Sequence, residues 1–207
     1  MKLEQYVVGM VATNCYFLID WDTKHIVIID PGGESARLIK RIDDCGYIPE
    51  AILLTHGHFD HASEAAKLAA EYGIKIYANE LERDTLKDPN LNLSYNFTGV
   101  GDSYKADIWL KDRERFRLLD TDIIMFSTPG HTAGGCCYYL PQERLLFSGD
   151  TLFCGSVGRT DFPGGSMSQL IRSVEDKLFC LDDDVRVYPG HDAATTIGRE
   201  KTYNPYF

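Results

Sequence analysis

The sequence predicts an α/β fold in which two sheets pack face to face and helices cover the outer faces. Three observations lead to this prediction: short apolar strands alternate with amphipathic helices, the alternation occurs in two halves of the chain, and polar residues follow several strands. The 207 residues, of which 44% are apolar and 25% charged, suffice for one compact domain spanning residues 1–207.

The first half contains five predicted strands and two predicted helices. Glu34 to Cys45 has Leu38, Ile39 and Ile42 on one face of a helix, and a second helix is predicted over residues 62–72. The predicted strands are residues 2–9, 14–20, 26–30, 50–54 and 74–78.

The second half begins after a long segment rich in turn-forming residues. Residues 79–105 contain Asp-Pro-Asn and Thr-Gly-Val-Gly sequences, which predict an irregular loop. A loop of this length is usually functional, so we expect it to cover the functional site of the protein. Strands are predicted within residues 106–148, followed by a helix from Met167 to Cys180, a strand at 185–188 and a short C-terminal helix.

Three histidines and one aspartate lie within six residues after the apolar run 51–54, in the segment Thr-His-Gly-His-Phe-Asp-His. Burying these side chains without partners would cost several kcal/mol, so we expect a ligand that binds them. His56 and His58 alternate along an extended segment, whereas Asp60 and His61 lie where a helix begins and can face a second point. Imidazole and carboxylate groups suit zinc, iron and manganese, which predicts a pair of metal ions.

Three further polar residues are predicted to join this cluster. His131, Asp150 and His191 each directly follow a glycine near the end of a short apolar strand. Catalytic groups gather on loops at strand ends in layered α/β folds. His25 begins a strand instead, and we predict that it is structural.

Charge and composition restrict the partners. The formal net charge of −10 argues against nucleic acid and anionic membrane surfaces, because phosphate binding requires clustered Lys and Arg. No apolar run approaches the roughly 20 residues that span a bilayer. Two divalent ions outweigh the charges of Asp60, Asp150 and a shared hydroxide by one unit, so a small anionic substrate is compatible with an acidic chain.

The cysteines and the N-terminus predict a cytoplasmic protein. Glu4 interrupts the region where a signal peptide is apolar. The cysteines contain no Cys-x-x-Cys pair and are predicted to be free thiols in a reducing compartment. They are Cys15, Cys45, Cys136, Cys137, Cys154 and Cys180.

The segment 55–61, followed in order by His131, Asp150 and His191, resembles the metal-binding residues of the metallo-β-lactamase-fold hydrolases. The resemblance extends over the whole chain and implies an αββα sandwich of two mixed sheets with helices on the outer faces. The flanking segments are similar to the glyoxalase II-related branch, the hydroxyacylglutathione hydrolases. These segments are residues 14–16, 128–132, 149–153, 155–162 and 195–200.

The resemblance also implies a role for each ligand position. Asp150 would bridge two ions, and Asp60 and Asp150 would be catalytic as well as ligating. Zinc is the expected metal, with iron or manganese as alternatives. The first ion would be held by His56, His58 and His131, and the second by Asp60, His61 and His191.

The implied reaction is hydrolysis of a small thioester. A hydroxide shared by the ions attacks the carbonyl carbon, and a thiolate leaves. Because thiols have a pKa of about 8.5, the leaving sulfur needs little protonation.

Two other reactions remain open at this stage. Mononuclear iron persulfide dioxygenases also resemble this sequence and use only the positions of His56, His131 and Asp150. A lactonase would use the same hydroxide attack on an oxygen ester.

Three residues outside the ligand set have expected roles. Arg159 and Asp161 are predicted to orient the loop after Asp150, with Arg159 as a catalytic candidate. Asn14 is expected to place a polar group near the ions. The sequence ends 16 residues after His191, whereas glyoxalase II has a helical extension that helps to hold glutathione, so we expect little dependence on glutathione.

Overall fold

Two mixed six-stranded sheets form the centre of the computed structural model, which describes residues 1–207. In the first sheet the strands lie in the order in which they occur in the chain. The first three pair antiparallel and the remaining pairs are parallel. The strands are β1 (Lys2–Val8), β2 (Thr13–Ile19), β3 (His25–Ile29), β4 (Ile48–Leu53), β5 (Lys75–Asn79) and β6 (Ile108–Leu110).

The second sheet contains the strands of the second half. They are β7 (Arg115–Leu118), β8 (Thr121–Ser127), β9 (Cys136–Leu140), β10 (Leu145–Gly149), β13 (Arg186–Pro189) and β14 (Thr195–Thr196). Their order across the sheet is β14, β13, β10, β9, β8, β7, and only β10 and β13 pair parallel. A separate hairpin of β11 (Leu152–Phe153) and β12 (Ser156–Val157) follows β10.

Period-two alternation along the central strands divides the core into three layers. In β2, Phe17 packs with the helix side of the first sheet, whereas Tyr16 packs between the sheets. In β9, Cys136 lies between the sheets and Cys137 faces the opposite side, as expected for adjacent residues of a strand. The layers confirm the predicted sandwich of helix, sheet, sheet and helix.

Amphipathic helices cover both outer faces. Leu38 and Ile42 of α1 (Ser35–Cys45) pack on the first sheet, together with α3 (Ala65–Tyr72). On the second sheet, α6 (Met167–Ser173) continues as a π-helical turn, Val174–Leu178, and packs beside α7 (Ile197–Tyr203). None of the helices combines the length and apolar character of a membrane span.

The predicted helix over residues 62–72 is wrong at its beginning. The structure has a short helix α2 (Phe59–Ala62), and α3 starts only at Ala65. The break is held by two contacts with the preceding loop: Ser63 Oγ donates to the Gly32 oxygen at 2.8 Å, and the Glu64 amide donates to the Pro31 oxygen at 3.1 Å.

The segment 79–105 is more ordered than predicted. It contains a 3₁₀ turn, Glu80–Glu82, and the short helices α4 (Arg83–Lys87) and α5 (Ser94–Thr98). Asn92 links these parts, because its Nδ2 donates to the backbone oxygens of Leu86 and Asp102 at 3.2 and 2.9 Å. A buried amide side chain thus holds separate parts of this segment together through their backbone oxygens.

Candidate metal centre

The seven predicted ligand side chains converge where strands of both sheets end. His56 and His58 follow β4 of the first sheet, and the segment leads directly into α2, which carries the next two ligands. His131, Asp150 and His191 follow β8, β10 and β13 of the second sheet. Three sets of ligand atoms lie within 4.8 Å of one another: His56, His58 and His131; His56, His61 and Asp150; and Asp60, His61 and His191.

His56, His58 and His131, here called the histidine group, face each other with their ring nitrogens. His58 Nδ1 lies 3.0 Å from Nε2 of His56 and 3.0 Å from Nε2 of His131. His131 Nδ1 donates to the backbone oxygen of Arg159 at 2.7 Å, which orients the ring with Nε2 towards the other two histidines. Three ring nitrogens therefore point at one space.

Asp60, His61 and His191, here called the mixed group, surround one carboxylate oxygen. Asp60 Oδ2 lies 3.3 Å from His61 Nε2 and 3.4 Å from His191 Nε2. Thr13 Oγ1 donates to the same oxygen at 2.7 Å. Behind His61, its Nδ1 donates to Asp30 Oδ2 at 2.9 Å, so the ring is oriented with Nε2 towards the group.

Asp150 lies between the two groups. Its Oδ1 is 3.5 Å from His61 Nε2, and its Oδ2 is 3.4 Å from His131 Nε2 and 3.6 Å from His191 Nε2. One carboxylate therefore faces ligand atoms of both groups.

Buried atoms without hydrogen-bond partners show that a cation fits this arrangement. His61 Nε2 and Asp150 Oδ1, which face other candidate ligand atoms, are buried and have no hydrogen-bond partner. Such atoms are rare, and each requires an explanation such as a bound ion. The nitrogen and oxygen donors are those that zinc, iron and manganese accept, so the residues present fit divalent metal ions.

The histidines of the two groups have pKa values shifted in opposite directions. Burial lowers the pKa of His56 and His58 well below the usual value, and neighbouring histidines lower it further. Burial also opposes the charged form of His61, but Asp60, Asp30 and Asp150 outweigh it and raise the pKa of His61 well above the usual value.

The pKa values of His191 and Asp60, the other two members of the mixed group, are also shifted. Burial of His191 is outweighed by its hydrogen bond with Asp60 and by the charge of Asp150, which raises the pKa of His191. Burial of Asp60 is outweighed by His61 and His191, which hold the pKa of this carboxyl well below its usual range. The mixed group therefore favours positive charge, which bound protons or a metal ion can supply.

Two glycines allow the backbone to approach the ligands. A Cβ at Gly190 would lie 2.3 Å from Asp150 Oδ1 and 2.6 Å from His61 Cε1. A Cβ at Gly32 would lie 1.3 Å from the backbone oxygen of Asp60. A side chain at either position would displace a ligand.

A cavity of about 440 Å³ opens onto the ligands. Its walls are largely apolar, and its floor contains ligands from both groups, which is the usual composition of a small-molecule site. Leu93 and Phe97 come from the segment 79–105, so this segment lines the site. The other lining residues are Val11, His58, Phe59, Asp60, His131, Asp150, Phe153, Ser156, Val157, Arg159, Phe162, His191 and Asp192.

Arg159 lies at the cavity and contacts His131 through its backbone. Its side chain is exposed, forms two 2.7 Å hydrogen bonds with Asp161 and lies 4.0 Å from the ring centre of Phe162. Its backbone oxygen, not its guanidinium, holds His131. The Asn14 side chain supports the site indirectly: its Nδ2 donates to the backbone oxygens of Pro189 and Asp192 at 3.0 and 2.9 Å, on both sides of His191.

Two buried acids next to the ligands were not predicted as site residues. Asp30 accepts from His61 and also from the Thr55 amide and hydroxyl at 2.8 and 2.6 Å. Glu82 Oε1 accepts from the Gly57 amide at 3.0 Å, between His56 and His58. An acid directly after the apolar strand 26–29 was the available signal for Asp30; Glu82 had none.

His25, which was predicted to be structural, and the buried Cys15 lie outside the centre. His25 Nδ1 is 2.5 Å from Glu50 Oε1 at the start of β3. The six cysteines are unpaired, as predicted. Burial raises the pKa of the Cys15 thiol well above its usual value, and this side chain packs with the helix side of the first sheet.

Known proteins are similar to this chain in both fold and sequence. Residues 8–191 match the metallo-beta-lactamase superfamily. The hydroxyacylglutathione hydrolase GloC of Haemophilus influenzae is 36% identical over 209 residues, with 100% of this chain and 98% of GloC covered. BLEG-1, a B3 metallo-beta-lactamase of known structure, is 38% identical with a TM-score of 0.94 over 99% of each chain.

A second solved structure, TTHA1623 in a di-iron-bound form, is 33% identical with a TM-score of 0.85, covering 99% of this chain and 100% of that chain. These similarities confirm the predicted fold. On its family match and its full-length relatives, the chain belongs to the metallo-beta-lactamase superfamily of metallo-hydrolases.

Proposed function

We propose that the protein is a dinuclear metal-dependent thioesterase of the hydroxyacylglutathione hydrolase type. The observation that carries this proposal is the position of Asp150, whose two oxygens face ligand atoms of the histidine group and of the mixed group. A carboxylate in that position suits two ions that share it. The similarity to GloC supports the choice of substrate class.

Metal ions held by these seven side chains would provide an activated water near neutral pH and polarise the substrate carbonyl. The protein fixes the donors: Arg159 orients His131 through its backbone oxygen, and Asp30 orients His61. The apolar walls of the cavity limit the access of bulk water to the reacting carbonyl.

The titratable groups of the cavity favour a thioester over an amide. Apart from the proposed ligands, the lining contains Asp192 and Arg159 as its titratable side chains. Arg159 is paired with Asp161 and stays protonated, so it is a poor proton donor. A thiolate leaving group, with a thiol pKa of about 8.5, departs without a strong general acid.

The cavity also predicts how much the thiol carrier contributes. Arg159 is the one Lys or Arg among the lining residues, and it already has a carboxylate partner. The two carboxylates of glutathione would therefore gain little binding energy. We expect a high KM for S-lactoylglutathione and only a modest loss when the glutathione part is truncated.

Zinc is the metal we propose first, and the di-iron form of the similar TTHA1623 makes iron the main alternative. We also propose a cytoplasmic location. The proposed binding partner is the substrate itself, a small thioester or ester that can be anionic. The six free cysteines support a reducing compartment.

Metal analysis and steady-state kinetics on one preparation test the proposal. We expect about two ions per chain and hydrolysis of both S-lactoylglutathione and a short-thiol lactoyl thioester. Reading thiol release and oxygen consumption in the same assay separates the competing reactions.

Three results would overturn the proposal. One iron per chain with oxygen uptake on glutathione persulfide would support the dioxygenase. Cleavage of lactones without cleavage of thioesters would support the lactonase. Cleavage of the β-lactam nitrocefin alone would support an activity like that stated for BLEG-1.

A further inference from the structure

The segment 195–200 resembles the glyoxalase II-related branch, yet the proposed reaction uses none of its residues. Its last residue, Glu200, is an acid with 0% of its surface exposed. A buried carboxylate is costly unless it is fully hydrogen-bonded, so its partners indicate what it does. They belong to three parts of the chain.

Four donors saturate the Glu200 carboxylate. Oε1 accepts from the Thr195 hydroxyl at 2.5 Å and from Arg199 at 2.6 Å. Oε2 accepts from the Gly155 amide at 2.7 Å and from Asn204 Nδ2 at 2.9 Å. The carboxylate thus joins β14, both ends of α7 and the hairpin of β11 and β12.

The hairpin of residues 152–157, here called the pocket hairpin, forms one wall of the cavity. Phe153, Ser156 and Val157 line this wall. The ring of Phe153 also meets the ring of His191 edge to face, with centroids 6.2 Å apart. The position of the hairpin therefore affects both the cavity and one proposed ligand.

The base of the pocket hairpin and its tip are held in different ways. At the base, Leu152 and Val157 are buried in the core beneath the second sheet. At the tip, Gly155 donates to Glu200, and the Ser156 oxygen accepts from Asn204 Nδ2 at 3.0 Å. Asn204 thus bonds the hairpin directly and also the carboxylate that holds it.

We propose that Glu200 and Asn204 are positioning residues that fix the tip of the pocket hairpin and thereby set the affinity of the cavity for its substrate. Neither residue lines the cavity. Their effect passes through the backbone of residues 155 and 156. The kinetic part of this inference rests on the proposed function; the structural part does not.

A matched pair of variants separates positioning from general stabilisation. Asn204→Ala and Thr195→Ala each remove one donor to the buried Glu200 carboxylate, so both should lower the melting temperature. Only Asn204→Ala also removes a hydrogen bond to the hairpin. Thr195 forms no hydrogen bond with the hairpin and does not line the cavity, which makes it the control.

We expect Asn204→Ala to raise KM by about three- to tenfold, the equivalent of one or two hydrogen bonds, with kcat changed by less than about twofold. Thr195→Ala should leave KM unchanged. Hydrogen exchange of the metal-loaded protein should speed up for residues 153–157 in Asn204→Ala and not in Thr195→Ala.

Equal KM and equal exchange in the two variants would overturn the inference and leave Asn204 and Glu200 with a structural role only. If the unaltered protein hydrolyses no thioester, the proposed function fails, and the exchange of residues 153–157 still decides whether Asn204 positions the hairpin.

Discussion

The two ends of the ligand cluster differ in the groups behind them. Neutral partners stand behind the histidine group: His131 donates to a backbone oxygen, and His56 Nδ1 lies 3.3 Å from the Thr55 hydroxyl. A carboxylate lies behind the mixed group, where Asp30 accepts a hydrogen bond from His61. The mixed group also contains a carboxylate of its own, that of Asp60.

This difference reverses the acid–base behaviour of chemically identical side chains. The pKa of His56 is lowered, mainly by burial, whereas the pKa of His61 is raised because three carboxylates outweigh its burial. His56 and His58 therefore offer free lone pairs at neutral pH. The mixed group holds protons that a metal ion must displace.

The largest expected effect comes from the residue that belongs to neither group alone. Asp150→Ala should remove most of the metal from both groups and lower hydrolysis by more than about a hundredfold, since even supporting residues of metal sites cost ten- to a hundredfold. It should also lower the melting temperature of the metal-loaded protein. Metal content, initial rates and calorimetry measure these effects.

A surface aspartate provides the control for Asp150. Asp44→Ala alters an exposed residue of α1 that pairs with Lys40, and it should change none of these quantities measurably. Full metal content in Asp150→Ala would show that the carboxylate is not shared.

The second prediction compares the groups directly. His191→Ala and His58→Ala should each leave about one ion per chain near pH 7.5 and reduce hydrolysis. As the pH falls to about 6, His58→Ala should release its remaining ion first, because the raised pKa of His61 lets protons compete at the mixed group. The lowered pKa of His56 protects the ion that remains in His191→Ala.

Metal content after gel filtration at the two pH values decides this comparison. The same release profile in both variants would mean that the charges behind the groups do not control metal binding. Two ions retained by His191→Ala would refute the assignment of that histidine.

The third prediction concerns the support of the mixed group. Asp30→Asn keeps the size of the side chain but removes the charge that His61 contacts. We expect the affinity of one ion to fall by about ten- to a hundredfold while the other ion is unaffected. Competition with a chelator measures both affinities, and an equal weakening of both would contradict the selective effect.

The sequence predicted which His and Asp side chains cluster because its signals are local. Alternating apolar residues marked the strands, and His131, Asp150 and His191 each follow one, so the sheets bring them together. The supporting acids were not predicted because their contacts are distant in the sequence: His61 and Asp30 are 31 positions apart. No local pattern encodes such a pairing.

Arg159 illustrates a second limit. A motif identifies a side chain, but the structure uses the backbone oxygen of this residue to orient His131. The short helices within residues 79–105 were not predicted, for a related reason. Turn-forming residues such as Asn92 predict a loop, and only their buried hydrogen bonds with Leu86 and Asp102 convert it into short helices.

The smallest expected effect tests the other unpredicted acid, Glu82, beside the histidine group. Burial raises its pKa to about 7 although the Gly57 amide donates to it. Because the folded pKa exceeds the unfolded one, Glu82 binds its proton more tightly in the folded state. The resulting stabilisation is complete below about pH 4.5 and is lost as the pH rises through 7.

Glu82→Gln retains an oxygen for the Gly57 amide but cannot ionise. Between pH 5 and 7.5 its free energy of unfolding should therefore rise relative to the unaltered protein by roughly 2 kcal/mol, since one pKa unit corresponds to about 1.4 kcal/mol and part of the effect is already present at pH 5. Urea unfolding at the two pH values measures the difference, in which the shared histidine titrations cancel. Glu80→Gln, in the same helical turn but only partly buried, is the control and should show no such rise. A constant difference for Glu82→Gln would mean that this acid is already ionised at pH 5, and that the histidine group, like the mixed group, has a negative charge behind it.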